Sequence, residues 1–351
     1  MAQPALTAEQ LQEAWEAVCR YKTVTAAARA LGINPRTMQH RFDVAKHKFK
    51  MGAARLSTGA QGVILPAIPK AGATAEELIE ARKREFLRAH EAETAKQWMR
   101  FTIEEPAPFA LAFVGDPHVD DRGCDWVTLE RHLDLIEKTP GMFGVGLGDW
   151  TNNWTGRLAR LYAEQPTGSK EAWTLAEWVL TRPIWMLLLR GNHDMWSGAG
   201  DPMRWIVDGA VLQDWQARFE VACSDIIWRV HAAHDFPGTS MWNRLHAPLK
   251  RAKMSGHDAD LYIAGHRHNW GLAEEQDEHS GRVAWLARAK GYKALDSYAA
   301  NLGHGQAQNR GQTITAICTP ADGKMRCFSD LDEAASYLTW LRRPRVRVKA
   351  A

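Results

Sequence analysis

The pentapeptide Arg190-Gly191-Asn192-His193-Asp194 follows the apolar run Ile184 to Leu189. That run, bounded by Pro183 and Gly191, reads as a buried strand. An amide, an imidazole and a carboxylate therefore leave a strand end together. An Asn carbonyl can ligate a metal beside His and Asp ligands, and the adjacent His can then face a bound phosphate. Alone, Gly-Asn-His-Asp is also an ordinary turn. Four other stretches repeat the arrangement. Phe109 to Gly115 reads as a strand and delivers Asp116 and His118. Met142 to Leu147 delivers Gly148 and Asp149. Asp225 to Ala233 leads to His231 and His234, which fall on opposite sides of a period-two pattern. His234 ends the strand and is the preferred ligand, with His231 a core or supporting residue. Leu261 to Ala264 delivers Gly265-His266-Arg267-His268, whose two imidazoles could address two metals.

The elements between these stretches supply the frame. Trp126 to Lys138 reads as a helix, residues 155–182 look helical, and Pro202 to Phe219 reads as an inserted helical segment. Gly144-Val-Gly146-Leu-Gly148 superficially suggests a dinucleotide loop, but the spacing is wrong and Asp149-Trp-Thr-Asn-Asn follows. Carboxylates, imidazoles and an amide carbonyl suit Mn²⁺, Fe or Zn²⁺, and the lack of Cys ligands argues against softer metals. The five cysteines are scattered, which indicates neither a zinc ribbon nor a disulfide framework and fits a reduced cytoplasmic protein. The chain begins without a signal core, and no run approaches membrane-spanning length.

The formal net charge of +3 does not by itself imply nucleic acid. Residues 1–60 differ, with nine Lys/Arg against four acids. Thr7 caps a helix to about Tyr21, Thr23 to Leu31 forms a short alanine-rich helix, and Pro35 opens a third helix after Gly32-Ile33-Asn34. Met38, Phe42 and Ala45 form the apolar face of that third helix. The phrase Thr25-Ala-Ala-Ala-Arg-Ala-Leu-Gly-Ile-Asn-Pro-Arg-Thr37 resembles a helix-turn-helix unit. The resemblance implies DNA contacts from Arg36, Thr37, Gln39, His40 and Arg41. The alternative is a three-helix bundle with a solvated basic face that docks protein. Residues 1–50 are thus a helix-turn-helix-like module, 51–75 a flexible linker, 76–100 a bridging or packed helix, and 101–351 the large domain.

The order Asp-x-His, Gly-Asp, Gly-Asn-His-Asp, His, Gly-His-x-His resembles the calcineurin-like metallophosphoesterase superfamily over about residues 107–270. The resemblance implies an α/β (α+β) fold, a two-sheet β sandwich flanked by helices, with metals at the carboxyl ends of strands. It implies two divalent metals, with Mn²⁺ preferred. Asp116, His118 and His268 would hold the first, Asn192, His234 and His266 the second, and Asp149 would bridge them. A shared hydroxide would attack phosphorus in line. His193 would stabilise the transition state or protonate the leaving oxygen. Asp194 would orient His193 or cap the loop. Asn152 or Asn153, Arg190 and Arg267 are candidate substrate contacts. Trp150, Trp154, Trp196, Trp242 and Trp270 lie near ligand loops, where they could stack bases or simply pack.

These features point first to a phosphodiesterase or nuclease acting on DNA. The alternatives are a phosphoesterase for small molecules or phosphoproteins, whose N-terminal module sets oligomer state or address, and a non-catalytic DNA-binding regulator. A helix-turn-helix joined to such a domain also resembles phage or prophage proteins. The expected partner is DNA, without a membrane, and a homo-oligomer is compatible with the sequence.

Overall fold

The computed structural model describes residues 6–48, 72–95, 97–163, 165–182, 184–196, 202–294 and 310–344. Most of the expected linker lies outside the described residues. The chain forms two compact units, Met1–Leu78 and Ile79–Ala351.

In the first unit, α1 (Ala8–Tyr21) starts at a reciprocal cap. The Thr7 hydroxyl accepts from the Gln10 N–H at 3.3 Å, and the Gln10 side chain accepts from the Thr7 N–H at 3.1 Å. Thr23 caps α2 (Val24–Ala30) by accepting from the Ala26 N–H at 3.1 Å. Gly32, at φ 65°, turns the chain into α3 (Pro35–Lys48). Leu11, Ala14, Ala27, Ala28, Met38 and Ala45 are buried, and Trp15 stacks on Phe42 at 5.4 Å. The alanines of α2 let three short helices share one small core.

The boundary between the units falls within α4 (Ala75–Ala95), which buries none of its residues. The helix expected to reach Arg100 ends earlier, and β1 (Met99–Ile103) begins in its place. Met99, Phe101 and Ile103 alternate with Arg100 and Thr102, and that period suits a strand with one covered face.

The second unit contains two mixed six-stranded sheets flanked by helices. In one sheet β2 (Phe109–Val114), β3 (Met142–Gly146), β4 (Trp185–Arg190) and β5 (Val211–Asp214) run parallel. Antiparallel β11 (Thr313–Thr319) and β12 (Lys324–Phe328) extend it beyond β2. The other sheet has the order β1-β6-β7-β8-β10-β9, with β6 (Gln216–Cys223), β7 (Ile226–Ala233), β8 (Leu261–Ala264), β9 (Gly271–Gln276) and β10 (Val283–Arg288). β7, β8 and β10 are parallel neighbours.

The alternation along β2 shows how the layers are made. Phe109, Leu111 and Phe113 join Phe219, Val221, Val230 and Ile263 in a core fed by both sheets. Ala110, Ala112 and Val114 face the other way and pack with α5 (Trp126–Lys138), α6 (Ser169–Leu180) and α10 (Leu331–Arg342). With both faces covered, the strand is an unbroken apolar run. On the outer face of the second sheet, Tyr262, Ala264 and Leu286 pack with α9 (His246–Met254).

The segment Pro202 to Phe219, expected as helix, is helical only over α8 (Pro202–Ile206). It then supplies β5 and the start of β6. Phe219, Val221 and Cys223 recur every second residue and are fully buried, so pairing in the sheet covers what a helix would have left half exposed. The Gly144 and Gly146 pair serves packing. A Cβ on Gly144 would lie 2.8 Å from the Trp185 ring, and one on Gly146 would lie 2.2 Å from the Trp150 ring. Among the described residues no helix is long and apolar enough to cross a membrane.

Candidate metal centre

The candidate ligands sit just past the carboxyl ends of strands that are parallel neighbours. Asp116 and His118 follow β2, Asp149 follows β3, and Asn192 follows β4. His234 follows β7, and His266 and His268 follow β8. Two sheets thus bring their ends together, and seven side chains spread over 153 positions of sequence meet at one edge of the sandwich.

The backbone there is tightly turned. Asp116, His118, Asp149, Asn153, His266 and His268 all have positive φ, between 27° and 67°. Such conformations cost on the order of 1 kcal/mol or more for a side-chain-bearing residue and concentrate at functional sites. The glycines before the ligands have a steric reason. A Cβ on Gly191 would meet Asp149 Oδ1 at 2.2 Å and His234 Cε1 at 2.6 Å. One on Gly265 would meet Asp116 Oδ2 at 2.7 Å, and one on Gly148 would meet the Gly191 backbone at 2.5 Å.

Three atoms that carry lone pairs converge on His234 Nε2. Asn192 Oδ1 lies 2.9 Å from it, His266 Nδ1 3.0 Å and Asp149 Oδ2 3.2 Å. The other nitrogen, Nδ1, donates to the Leu147 carbonyl at 2.8 Å. That bond leaves the Nε2 lone pair facing the centre, the usual arrangement behind a metal-bound imidazole. Acceptors packed this closely need a proton or a cation between them. Asp149 Oδ2 also lies 3.9 Å from His118 Nε2, 3.9 Å from His193 Nε2 and 4.0 Å from His266 Nδ1. One carboxylate therefore touches both groups able to hold a metal, His118-Asp149-His193 and Asp149-His234-His266. Asp116 Oδ1 and both ring nitrogens of the buried His118 have no hydrogen-bond partner. Buried polar atoms are rarely left so, and divalent cations would satisfy them. The donor set fits two such ions.

Electrostatics within the centre agree. Burial raises the Asp116 carboxyl well above its ordinary range, although His234 opposes the shift. Burial works the same way on Asp149, but His234, His266 and His193 together outweigh it and hold that carboxyl well below its ordinary range. Burial would lower His234, yet Asp149 and Asp116 raise it to about 10. His118 is pushed well down by burial and by His193. A protonated His234 is the counter-charge of the buried Asp149 carboxylate, the role a metal takes over when it binds and displaces that proton.

The division of ligands between two sites is less sharp here than the resemblance implies. His268 stacks on His118 at 5.2 Å, as partners at one metal could. Asp116, however, accepts from the His266 N–H at 2.7 Å and has Oδ1 3.6 Å from His234 Nδ1, which ties it to the other group. His231 is fully buried but elsewhere, 3.1 Å from Gln216 Oε1 and against Phe236.

Asp194 does not orient His193. Its carboxylate accepts from the N–H groups of Asp149 at 2.7 Å, Gly191 at 2.8 Å and Trp150 at 3.1 Å, so it ties the two loops together. Burial and the Asp149 charge raise it to about 7. The Asn152 carbonyl holds His193 instead, accepting from Nδ1 and leaving Nε2 toward Asp149. Asn153 donates to the His193 carbonyl at 2.8 Å. The Arg190 guanidinium is buried against Asp214. Arg267 pairs with Asp235 at 2.8 Å and stays 42% exposed, beside the ligand loop.

Sequence reasoning missed the support beneath Asn152. Asp120, 1% exposed, accepts from the Asn152 N–H at 2.7 Å and from Gln165 at 2.8 Å. The Asn152 amide donates to Asp121 at 2.8 Å, and Asp121 also pairs with Lys293 at 3.0 Å. The Asp120-Asp121 pair just after His118 was the available signal. Nothing in sequence links it to Gln165 or Lys293.

In the first unit, Arg36, Thr37, Gln39 and His40 are exposed along α3 and Arg41 is half-buried. Gln39 donates to Asp43 at 3.0 Å.

No protein-family model matches the chain, and neither does any curated protein sequence. Solved structures similar to parts of it include Vps29 from Entamoeba histolytica complexed with Zn²⁺, which aligns with 63% of this chain and 97% of its own at 13% identity and a TM-score of 0.32. An archaeal phosphodiesterase aligns with 63% of this chain and 99% of its own at 10% identity and a TM-score of 0.30. Vacuolar protein sorting 29 from Cryptosporidium parvum aligns with 64% of this chain and 100% of its own at 13% identity and a TM-score of 0.33. Likeness at this level carries no functional argument.

Proposed function

We propose that the protein is a metal-dependent phosphoesterase, a phosphodiesterase that acts on DNA. The convergence of Asn192, His234, His266 and Asp149 around one point, with His193 beside it, carries this reading. Asp149 would bridge two divalent metals, with Asn192, His234 and His266 on one side and His118 on the other, and Asp116 and His268 completing the set. Bound divalent cations would polarise the phosphoryl group and lower the pKa of attacking water.

The chain's own residues do the rest. The Asn152 carbonyl fixes the His193 ring through Nδ1, so that Nε2 is turned toward Asp149, where the phosphoryl group would be held. In hydrolysis a water oxygen bonds to phosphorus and the bond to the ester oxygen breaks. With Nδ1–H given to the Asn152 carbonyl, the acid is the doubly protonated ring: its Nε2 proton passes to that departing oxygen, the attacking water loses a proton to solvent, and His193 takes one back from solvent. Asp194 holds the Asp149 and Gly191 loops at the spacing this requires. The exposed polar edge of α3 supports DNA as the macromolecule brought to the site, through phosphate contacts from Arg36 and base contacts from Gln39 and His40.

The test is manganese-dependent hydrolysis of single-stranded DNA, duplex DNA and a bis-aryl phosphodiester, with metal content measured in parallel. His193→Ala should keep its metal and lose at least about a hundred-fold in turnover. Loss of metal in that variant would make His193 a ligand. Turnover of the aryl ester with intact DNA would move the substrate to small esters. Bound metal without any turnover would leave a non-catalytic regulator.

A further inference from the structure

Five tryptophans lie near the ligand loops in sequence, and the structure sorts them. Trp150 is fully buried, donates from Nε1 to the Leu189 carbonyl at 3.1 Å and packs edge-on against Trp185. Trp242 is 91% exposed. Trp270 packs so closely on Gly311 that a Cβ there would lie 2.3 Å away. Of these five, Trp154 and Trp196 have ring contacts with His193, whose other ring neighbour among the described residues is His118 of the metal centre at 5.1 Å. The two indole centroids lie 5.2 Å and 5.3 Å from the His193 ring, at interplanar angles of 76° and 49°.

We infer that Trp154 and Trp196 form the leaving-group subsite and that it takes a planar aromatic group, a nucleobase on the departing side of the phosphoester. The inference rests on the phosphoesterase reading and names what that reading leaves open. In that reaction the departing oxygen is the atom beside His193 Nε2, so the group attached to it emerges between whatever flanks His193. His118 flanks it on the side of the metal centre, and the other two flanking rings are tryptophan. Each tryptophan is held from behind. Asn153 Nδ2 donates to the His193 carbonyl at 2.8 Å, locking the loop of Trp154 to α7 (Asn192–Met195), at whose end Trp196 lies. The Trp196 N–H donates to the Asn192 carbonyl at 3.1 Å. The Lys293 ammonium lies 5.4 Å from the centre of the Trp154 ring, and Lys293 is itself paired with Asp121. Trp154 is therefore already supported on one side, whereas Trp196 keeps 44% of its surface in solvent. An indole placed rigidly beside a polar reaction centre with an open surface is a stacking platform, and stacking on it is sequence-tolerant because every base has a π-face.

Simple packing of two loops around His193 would leave no preference for a base. Equilibrium binding to the manganese-loaded full chain separates the two ideas. The probes are inorganic phosphate, 2-deoxyribose 5-phosphate and deoxyadenosine 5′-monophosphate, whose ester oxygen would face His193. The nucleotide should bind about ten-fold more tightly than the sugar phosphate. Trp196→Ala should abolish that ratio, Trp196→Phe should keep most of it, and both should bind inorganic phosphate as the natural chain does. An unchanged thermal midpoint checks that the variants fold. Equal affinity for the two esters, or a ratio that survives Trp196→Ala, overturns the subsite while leaving the phosphoesterase reading intact. Failure to bind even inorganic phosphate overturns that reading, and the subsite with it.

Discussion

Gly191 carries the sharpest constraint at the scale of single residues. Its missing Cβ is what lets Asp149 Oδ1 and His234 approach the strand end. Neither neighbour can yield, because Asp149 is tied to the His193 N–H at 3.0 Å and His234 to the Leu147 carbonyl. Gly191→Ala should weaken manganese binding by about ten-fold or more, in the range typical of disturbed supporting contacts. Calorimetric titration of the metal would check this, and an unchanged affinity would show that the loops have slack. Asp194 makes a different prediction. It accepts three backbone N–H groups in a buried place, so Asp194→Ala strands all three donors. A loss of about 3 kcal/mol or more in unfolding free energy is expected from denaturant titration.

At the scale of elements, α5 is fastened to the sheet by a buried polar chain rather than by packing alone. His132 is 5% exposed. Its Nδ1 lies 2.8 Å from the Tyr292 hydroxyl, which in turn meets the Thr313 hydroxyl of β11 at 2.5 Å. Burial, with the neighbouring Arg131 charge, lowers His132 from 6.5 to about 4. The unfolded chain therefore takes up this proton first as pH falls. The stability involved is fully present above about pH 6.5 and is lost as pH falls toward about 4. The shift corresponds to about 3 kcal/mol. His132→Gln should flatten the unfolding free energy across that window, and a slope identical to that of the natural chain would remove His132 from the account.

For the whole molecule, the division into two compact units makes the proposed DNA and metal properties separable. Arg36→Ala and His40→Ala alter exposed side chains of α3 and should leave metal content unchanged. Each should lower duplex affinity, and loss of the phosphate contact proposed for Arg36 should reduce the salt slope by about one unit. Gel-shift titrations at several salt concentrations would read this. Equal affinity in the variants would turn attention to α3 as a protein-docking face.

The sequence by itself determined the strands that carry the candidate ligands, their ends and the residue types placed there. β2, β4, β7 and β8 were legible because apolar runs break at glycine or at a polar loop, and the N-terminal helices because Thr7, Thr23 and Pro35 mark their starts. Local chemistry writes these features, so local reading finds them. The strands β5 and β6 were misread as helix because their inward residues become apolar by necessity only when a second sheet covers them. Tertiary structure alone decided that Asp194 ties two loops, that Asn152 rather than Asp194 holds His193, and that Asp120 and Gln165 stand behind Asn152. Those contacts join residues 13 to 45 positions apart, and hydrogen bonds at such separations are fixed by which strand ends lie side by side. The same cause sorted the tryptophans, since distance from His193 in sequence says nothing about which indole faces its ring.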